Sequence, residues 1–206
     1  MRTDLSDYAR SVLRSLVEGL GSGIILGAEI GVAQGQTSAW LLKTFPKMHL
    51  TMIDAWDTYS EDDPYRKSGD SCAALNATQQ HAHREVAIAS TQFASGRRHI
   101  LHGDSVEMAD EIMLGSLDFV FIDGAHHYEG VKRDLIAWSP KLRKGGLFAG
   151  HDIDHPRDKR GIWGVRRAVE EFEAEAYETA QLCGAKCDWK LHTDSKATLW
   201  WFEPFG

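Results

Sequence analysis

Glu29, Asp54, Asp104, Asp123 and Asp152 each stand at or just past the end of a short apolar run, and His151 precedes the last of them. In an open parallel sheet, ligands bind outside the carboxyl ends of the strands, so these positions are expected along one rim. Like charges gathered at close range repel and raise one another's pKa values, so such a rim calls for positive charge from a ligand, a metal ion or both. Taken alone, an acid after a strand is an ordinary helix cap, and Asp104 before Ser105 reads equally well that way. The turn Glu29-Ile30-Gly31-Val32-Ala33-Gln34-Gly35 sets two glycines four apart between a strand and a helix. That spacing gives the tight turn and close backbone approach a nucleotide-like ligand needs, or simply a bare tight turn. The dinucleotide fingerprint has its glycines at the first, third and sixth positions and leaves a helix N-terminus free for pyrophosphate. This turn lacks that spacing, and Glu29 would set negative charge near the phosphates. A ligand with an amino group and a sulfonium, and no phosphate, is compatible with it. Asp54, 19 positions after Gly35, stands where an acid meets ribose hydroxyls in nucleotide-binding sheets, and Trp56, two residues further on, is placed to flank an adenine ring.

The elements that must position these residues follow from hydrophobic pattern. Short, nearly continuous apolar runs at 24–30, 49–53, 99–101, 117–122 and 146–149 predict parallel strands buried on both faces. Helical patterns at 37–45, 76–93, 105–114, 128–142 and 164–180 separate them, giving an α/β sandwich with right-handed crossovers. Leu5, Tyr8, Val12, Leu13, Leu16, Val17 and Leu20 predict an amphipathic helix over 4–20, ended by Gly21-Ser22-Gly23, as a cover for one sheet face. In the tail, 187–193 and 197–202 flank Asp194-Ser195 and read as an antiparallel hairpin on the sheet edge. The polar stretch 57–75, with Pro64, Gly69, Tyr59 and Tyr65, is long for a compact domain and is expected to act as a mobile lid.

The run Ala28-Glu-Ile-Gly-Val-Ala-Gln-Gly35 resembles the first motif of class I S-adenosylmethionine-dependent methyltransferases. Gly103-Asp104-Ser105, Phe121-Ile-Asp-Gly-Ala-His-His-Tyr128, Gly145-Gly146, Gly150-His-Asp152 and Gly164-Val-Arg-Arg-Ala168 extend the likeness. Together they resemble the macrocin-type sugar O-methyltransferases, with catechol O-methyltransferase more distant. The resemblance implies a Rossmann-like three-layer sandwich with a mostly parallel seven-stranded sheet and a C-terminal antiparallel hairpin. It implies that Glu29, Gly31 and Gly35 surround the methionine part of the cofactor, Asp54 the ribose, and Asp104 with Ser105 the adenine side. Asp123 and Asp152 match acids that hold a divalent ion, magnesium or manganese, and His126 matches a proposed base. His151 departs from the pattern, standing where metal-dependent relatives carry an acid. An imidazole among the ligands would tilt the preference toward manganese, iron or zinc. The implied reaction needs in-line geometry and a deprotonated hydroxyl, from a general base, a metal or both. His126 suits the base role by its ordinary pKa near neutrality; alternatively, it or His127 caps the helix that begins there.

Length and composition are consistent with one domain spanning 1–206, with 1–23 as its N-terminal helix. A net charge of −7 argues against a phosphate-tracking surface. No run approaches the length needed to cross a bilayer, so a soluble, cytoplasmic protein is expected. Cys72, Cys183 and Cys187 lack redox or zinc spacing and read as reduced structural thiols. His81 and His83, two apart on a helix, read as surface residues, and the loop cluster His151, Asp152, Asp154 and His155 as a weak alternative metal site. The expected partner is a small-molecule acceptor, neither nucleic acid nor membrane, with self-association left open. Two other functions fit the same fold: a nicotinamide-dependent oxidoreductase, which the glycine spacing disfavours, and a non-catalytic cofactor-binding module.

Overall fold

A computed structural model describes residues 5–182 and 189–202. Seven strands form one sheet in the order β3-β2-β1-β4-β5-β7-β6: β1 (Ile25–Ile30), β2 (Met48–Asp54), β3 (Arg98–His102), β4 (Leu117–Ile122), β5 (Leu142–Gly150), β6 (Leu191–Asp194) and β7 (Leu199–Phe202). The first five are parallel, β7 runs antiparallel to β5, and β6 antiparallel to β7. The order reverses between β1 and β4, and that is where an open α/β sheet leaves a crevice for ligands.

Alternation along the strands builds a core on each face. Phe119 and Phe121 point into a cluster with Leu13 and Val17 of α1 (Asp7–Glu18) and with Leu41 and Leu42 of α2 (Gln36–Thr44). Val120 and Ile122 point the other way, onto Val131, Leu135 and Trp138 of α6 (Tyr128–Trp138) and onto Val165, Ala168 and Val169 of α8 (Val165–Leu182). The expected three layers are therefore present. Helix α1 starts where Ser6 Oγ accepts the Ala9 amide, with Asp7 in the first turn, a cap and a charge that both suit a helix N-terminus. Its apolar stripe Ala9, Leu13 and Val17 is fully buried.

Several boundaries differ from expectation. The helix after Asp104 spans only Ser105–Ala109 (α5), and β5 begins at Leu142, before the glycine pair. In the hairpin, Trp200 is buried and Trp201 half-buried, as strand alternation predicts. Cys183, Cys187 and the first two positions of the expected tail strand lie outside the described residues; Cys72 forms no disulfide among the described residues. The stretch 57–75 holds a short helix, α3 (Pro64–Lys67), capped by Asp63 with proline in its first turn, and α4 (Ala77–Ser90) follows it behind an Asn76–Gln79 capping box. Among the described residues, no helix is long and apolar enough to cross a membrane.

Candidate active site

Three backbone hydrogen bonds align the strand ends. The Gly31 amide donates to the Ile53 carbonyl at 2.8 Å, the Asp123 amide to Ile30 at 2.8 Å, and the His151 amide to Ile122 at 3.0 Å. The residues after β1, β4 and β5 thus stand side by side at the switch point. Gly31 has a φ of 89°, and a Cβ there would collide with the Asp123 carbonyl and the Gly124 Cα. Only glycine lets the two loops approach so closely. Gly35, at φ 75°, opens α2.

Asp54 clasps this turn. Its Oδ2 accepts the Ala33 amide at 2.7 Å and its Oδ1 the Trp56 amide at 2.8 Å. Trp56 corrects the sequence reading: a φ of 37° sends the indole into the core, where Nε1 donates to the Ala33 carbonyl at 2.8 Å. The ring supports the glycine turn from below and lines neither cavity. Tyr59 and Tyr65, from the stretch 57–75, face the cleft instead.

Two cavities open along the rim. The larger, about 360 Å³, is walled by Gly31, Asp54, Asp104, Ser105, Tyr59 and Asp134, among others. That volume is within the range of small-molecule sites. The smaller, about 180 Å³, is walled by Glu29, Thr37, Leu5, Cys72 and Asp123. His83, expected on the surface, lines both: spacing from His81 separates the two imidazoles but does not say which faces the cleft. Asp104 caps α5, accepting the Val106 amide at 2.9 Å, and also lines the larger cavity. Glu29 is buried and accepts the Ser38 hydroxyl. Asp134, unforeseen from the sequence, is a buried carboxyl of α6 held by the Ser105 hydroxyl. Burial pushes its pKa up, and nearby Asp104 adds to the rise beyond what Ser105 and Arg133 offset, to about 7.

Beyond Asp123 the rim carries the densest charge cluster. His126 Nε2 lies 2.8 Å from Asp152 Oδ2 and 3.6 Å from Asp123 Oδ1. His151 Nδ1 lies 3.4 Å from Asp152 Oδ2 and 3.7 Å from Asp123 Oδ1, while its Nε2 meets Thr198 Oγ1 at 2.8 Å. Asp152 adopts a φ of 63°, the kind of strained backbone found where a side chain must be aimed. Burial lowers the pKa of both imidazoles, and the carboxylates more than offset it: His126 stands well above the ordinary histidine value and His151 rises to about 9. Burial raises Asp152, but the two histidines carry it well below the usual carboxylate range. Ligand atoms of Asp123, His126 and Asp152 all lie within 4.8 Å of one another. Two carboxylates and imidazole nitrogens converging in a buried spot form a donor set suited to a divalent transition ion. Of the predicted set Asp123, His151 and Asp152, this cluster contains the two aspartates with His126 as its third member, and His151 lies beside it. Asp154 and His155 stand apart: Asp154 pairs with Arg166 at 2.8 Å, and His155 caps α7 (Pro156–Lys159) and stacks on Trp163.

A family model described as a methyltransferase domain matches residues 28–153, the span from the strand before the glycine turn to the residue after Asp152. The O-methyltransferase NovP superposes with a TM-score of 0.65 at 17% identity, over 96% of this chain and 80% of that one. An O-methyltransferase from Bacillus cereus, solved with SAH, gives 0.62 at 16% over 98% and 84%. TomG, an O-methyltransferase from Streptomyces achromogenes solved with SAM, gives 0.58 at 17% over 98% and 83%. Among curated proteins, uncharacterized protein y4gI of Sinorhizobium fredii is 33% identical over 64 residues, which are 31% of this chain and 7% of that relative's length.

Proposed function

Because the chain belongs to this methyltransferase-domain family, we propose that it transfers the methyl group of S-adenosylmethionine to a hydroxyl oxygen of a small molecule, assisted by a divalent ion. One observation carries the reading: Asp123 is at once a wall of the smaller cavity and a member of the Asp-His-Asp cluster. A cofactor lying along the rim would therefore end beside the ion.

The residues fit the cofactor in order. Asp54 would take the ribose, Asp104 and Ser105 the adenine edge, with Tyr59 as the aromatic wall in place of Trp56. Gly31 and Gly35 keep the turn low enough for close approach, and Glu29 and Asp123 supply the negative charge that an ammonium and a sulfonium require. When bound, S-adenosylmethionine would supply a methyl group on a positively charged sulfur, the acceptor oxygen bonding to the methyl carbon in line as the C–S bond breaks and neutral S-adenosylhomocysteine leaves. The ion, manganese or magnesium, would lower the pKa of an acceptor hydroxyl. Asp123, His126 and Asp152 would hold it, with His151 Nδ1 in reach. In the absence of an ion, three carboxylates favour the protonated form of His126, so it is not poised as a free base and would act as a ligand once an ion displaces that proton. The stretch 57–75 roofs both cavities and would exclude water.

The test is methyl transfer from labelled S-adenosylmethionine to a panel of sugars, phenols and hydroxylated natural products, with manganese, magnesium or chelator. Methylated oxygen in at least one product, lost in chelator, is the expected result. Full transfer in excess chelator would remove the ion, and cofactor binding with no transfer anywhere would favour a non-catalytic module.

A further inference from the structure

Asp70 belongs to neither strand that bears the cluster, yet its Oδ2 sits 2.5 Å from Nδ1 of His126, and each of the two side chains is only 5% exposed. Its other oxygen accepts the Cys72 amide at 2.8 Å, a local turn that aims the carboxylate by its own geometry. Arg157 of α7 grips the same turn, donating to the carbonyls of Ser68 at 3.2 Å and Gly69 at 2.6 Å. On the ring's face, His126 stacks on Trp163 with centroids 4.3 Å apart. Trp163 thus sets the plane of the imidazole and Asp70 sets its rotation within that plane.

An imidazole that binds a metal must present a lone pair at one nitrogen and keep its proton at the other. With an ion in place, the bond to Asp70 would keep the proton on Nδ1 and leave Nε2, which faces Asp152 and Asp123, as the donor. We propose that Asp70 is the positioning residue that fixes this tautomer of His126, so that a divalent ion is held at full strength only while the stretch 57–75 lies closed over the cleft. The inference rests on the reading of Asp123, His126 and Asp152 as ion-binding residues. Its particular content is the source of the carboxylate, which stands 56 positions before the histidine, in the roof that also gives Tyr65 and Cys72 to the cavity wall. Loading of the ion and closure over the cofactor would then share one element.

Mn(II) binding to the full chain, measured by calorimetry, tests this with wild type, Asp70→Asn, Asp70→Glu and Arg157→Gln. Asn keeps the Cys72 turn through its carbonyl oxygen but removes the charged acceptor. The expected result is a loss of Mn(II) affinity of about 10- to 100-fold, with S-adenosylhomocysteine affinity and melting behaviour close to wild type and partial recovery in Asp70→Glu. Mn(II) should slow proteolysis within 57–75 in the wild type and not in Asp70→Asn. If Asp70→Asn does not fold, Arg157→Gln, which loosens the turn without touching the histidine, should weaken Mn(II) binding by a smaller factor. Equal Mn(II) affinity in the wild type and in each folded variant overturns the inference and leaves the ion reading standing. A wild-type protein that binds no Mn(II) overturns both.

Discussion

The Nε2 atom of His126, just before α6, lies 2.8 Å from Oδ2 of Asp152, just after β5. The same oxygen lies 3.4 Å from Nδ1 of His151, so one carboxylate serves two buried imidazoles. Breaking a buried charge pair by deleting one partner commonly costs about 3–5 kcal/mol, because the remaining charge is left uncompensated. Asp152→Asn should therefore lower the melting temperature of the ion-free protein at neutral pH and, in a Mn(II) titration, abolish tight binding. A variant as stable as the wild type would mean the pair carries little energy.

Asp134 gives a pH prediction with a defined sign. Its carboxyl titrates near 7 in the fold, against an ordinary 3.8, so between those values the folded state binds the extra proton. Stability from this group is fully present below about 4 and is lost as pH rises through 7. Each tenfold in proton affinity is about 1.4 kcal/mol, so Asp134→Asn should gain on the wild type by a few kcal/mol between pH 4.5 and 8 in denaturant unfolding. A constant difference across that range would place the carboxyl at an ordinary pKa.

Tyr59 and Trp56 should respond in opposite ways. Tyr59→Ala removes an aromatic wall of the larger cavity and should weaken S-adenosylhomocysteine binding several-fold by calorimetry, with little change in melting. Trp56→Phe deletes the bond to Ala33 and should cost about 1 kcal/mol of stability. The reverse pattern would restore Trp56 to the adenine.

Gly31→Ala combines a left-handed backbone, which costs a non-glycine residue about 1–2 kcal/mol, with a collision against Asp123 and Gly124. Both stability and S-adenosylhomocysteine affinity should fall, since the displaced loop carries the wall shared by the two cavities. Unchanged affinity would mean that the loop bearing Asp123 and Gly124 does not close against Gly31.

The sheet and most of the rim were legible because their signals are local. Continuous apolar runs mark buried parallel strands, and the rule that ligands lie beyond strand ends brings Asp123 and Asp152 together without any coordinates. Residues whose role depends on the path of a loop were not legible. Asp70 reaches His126 only because a turn in 57–75 folds back across the rim, and nothing in its neighbourhood announces a partner 56 positions away. Trp56 stands two residues after Asp54, the acid proposed for the ribose, but a single positive φ turns it into the core. Asp134 sits in an ordinary amphipathic helix; only the packing of α6 beside α5 shows that it meets Ser105.

Asp123 is proposed to belong to both the cofactor wall and the ion cluster. A crystal structure with S-adenosylhomocysteine and Mn(II), with the ion located by its anomalous signal, tests this directly. The predicted result is an ion ligated by Asp123, His126 and Asp152, with the ribose at Asp54 and the cofactor sulfur on the Asp123 side of the cleft. An ion elsewhere on the surface, or a nucleoside bound away from Asp54, would contradict it.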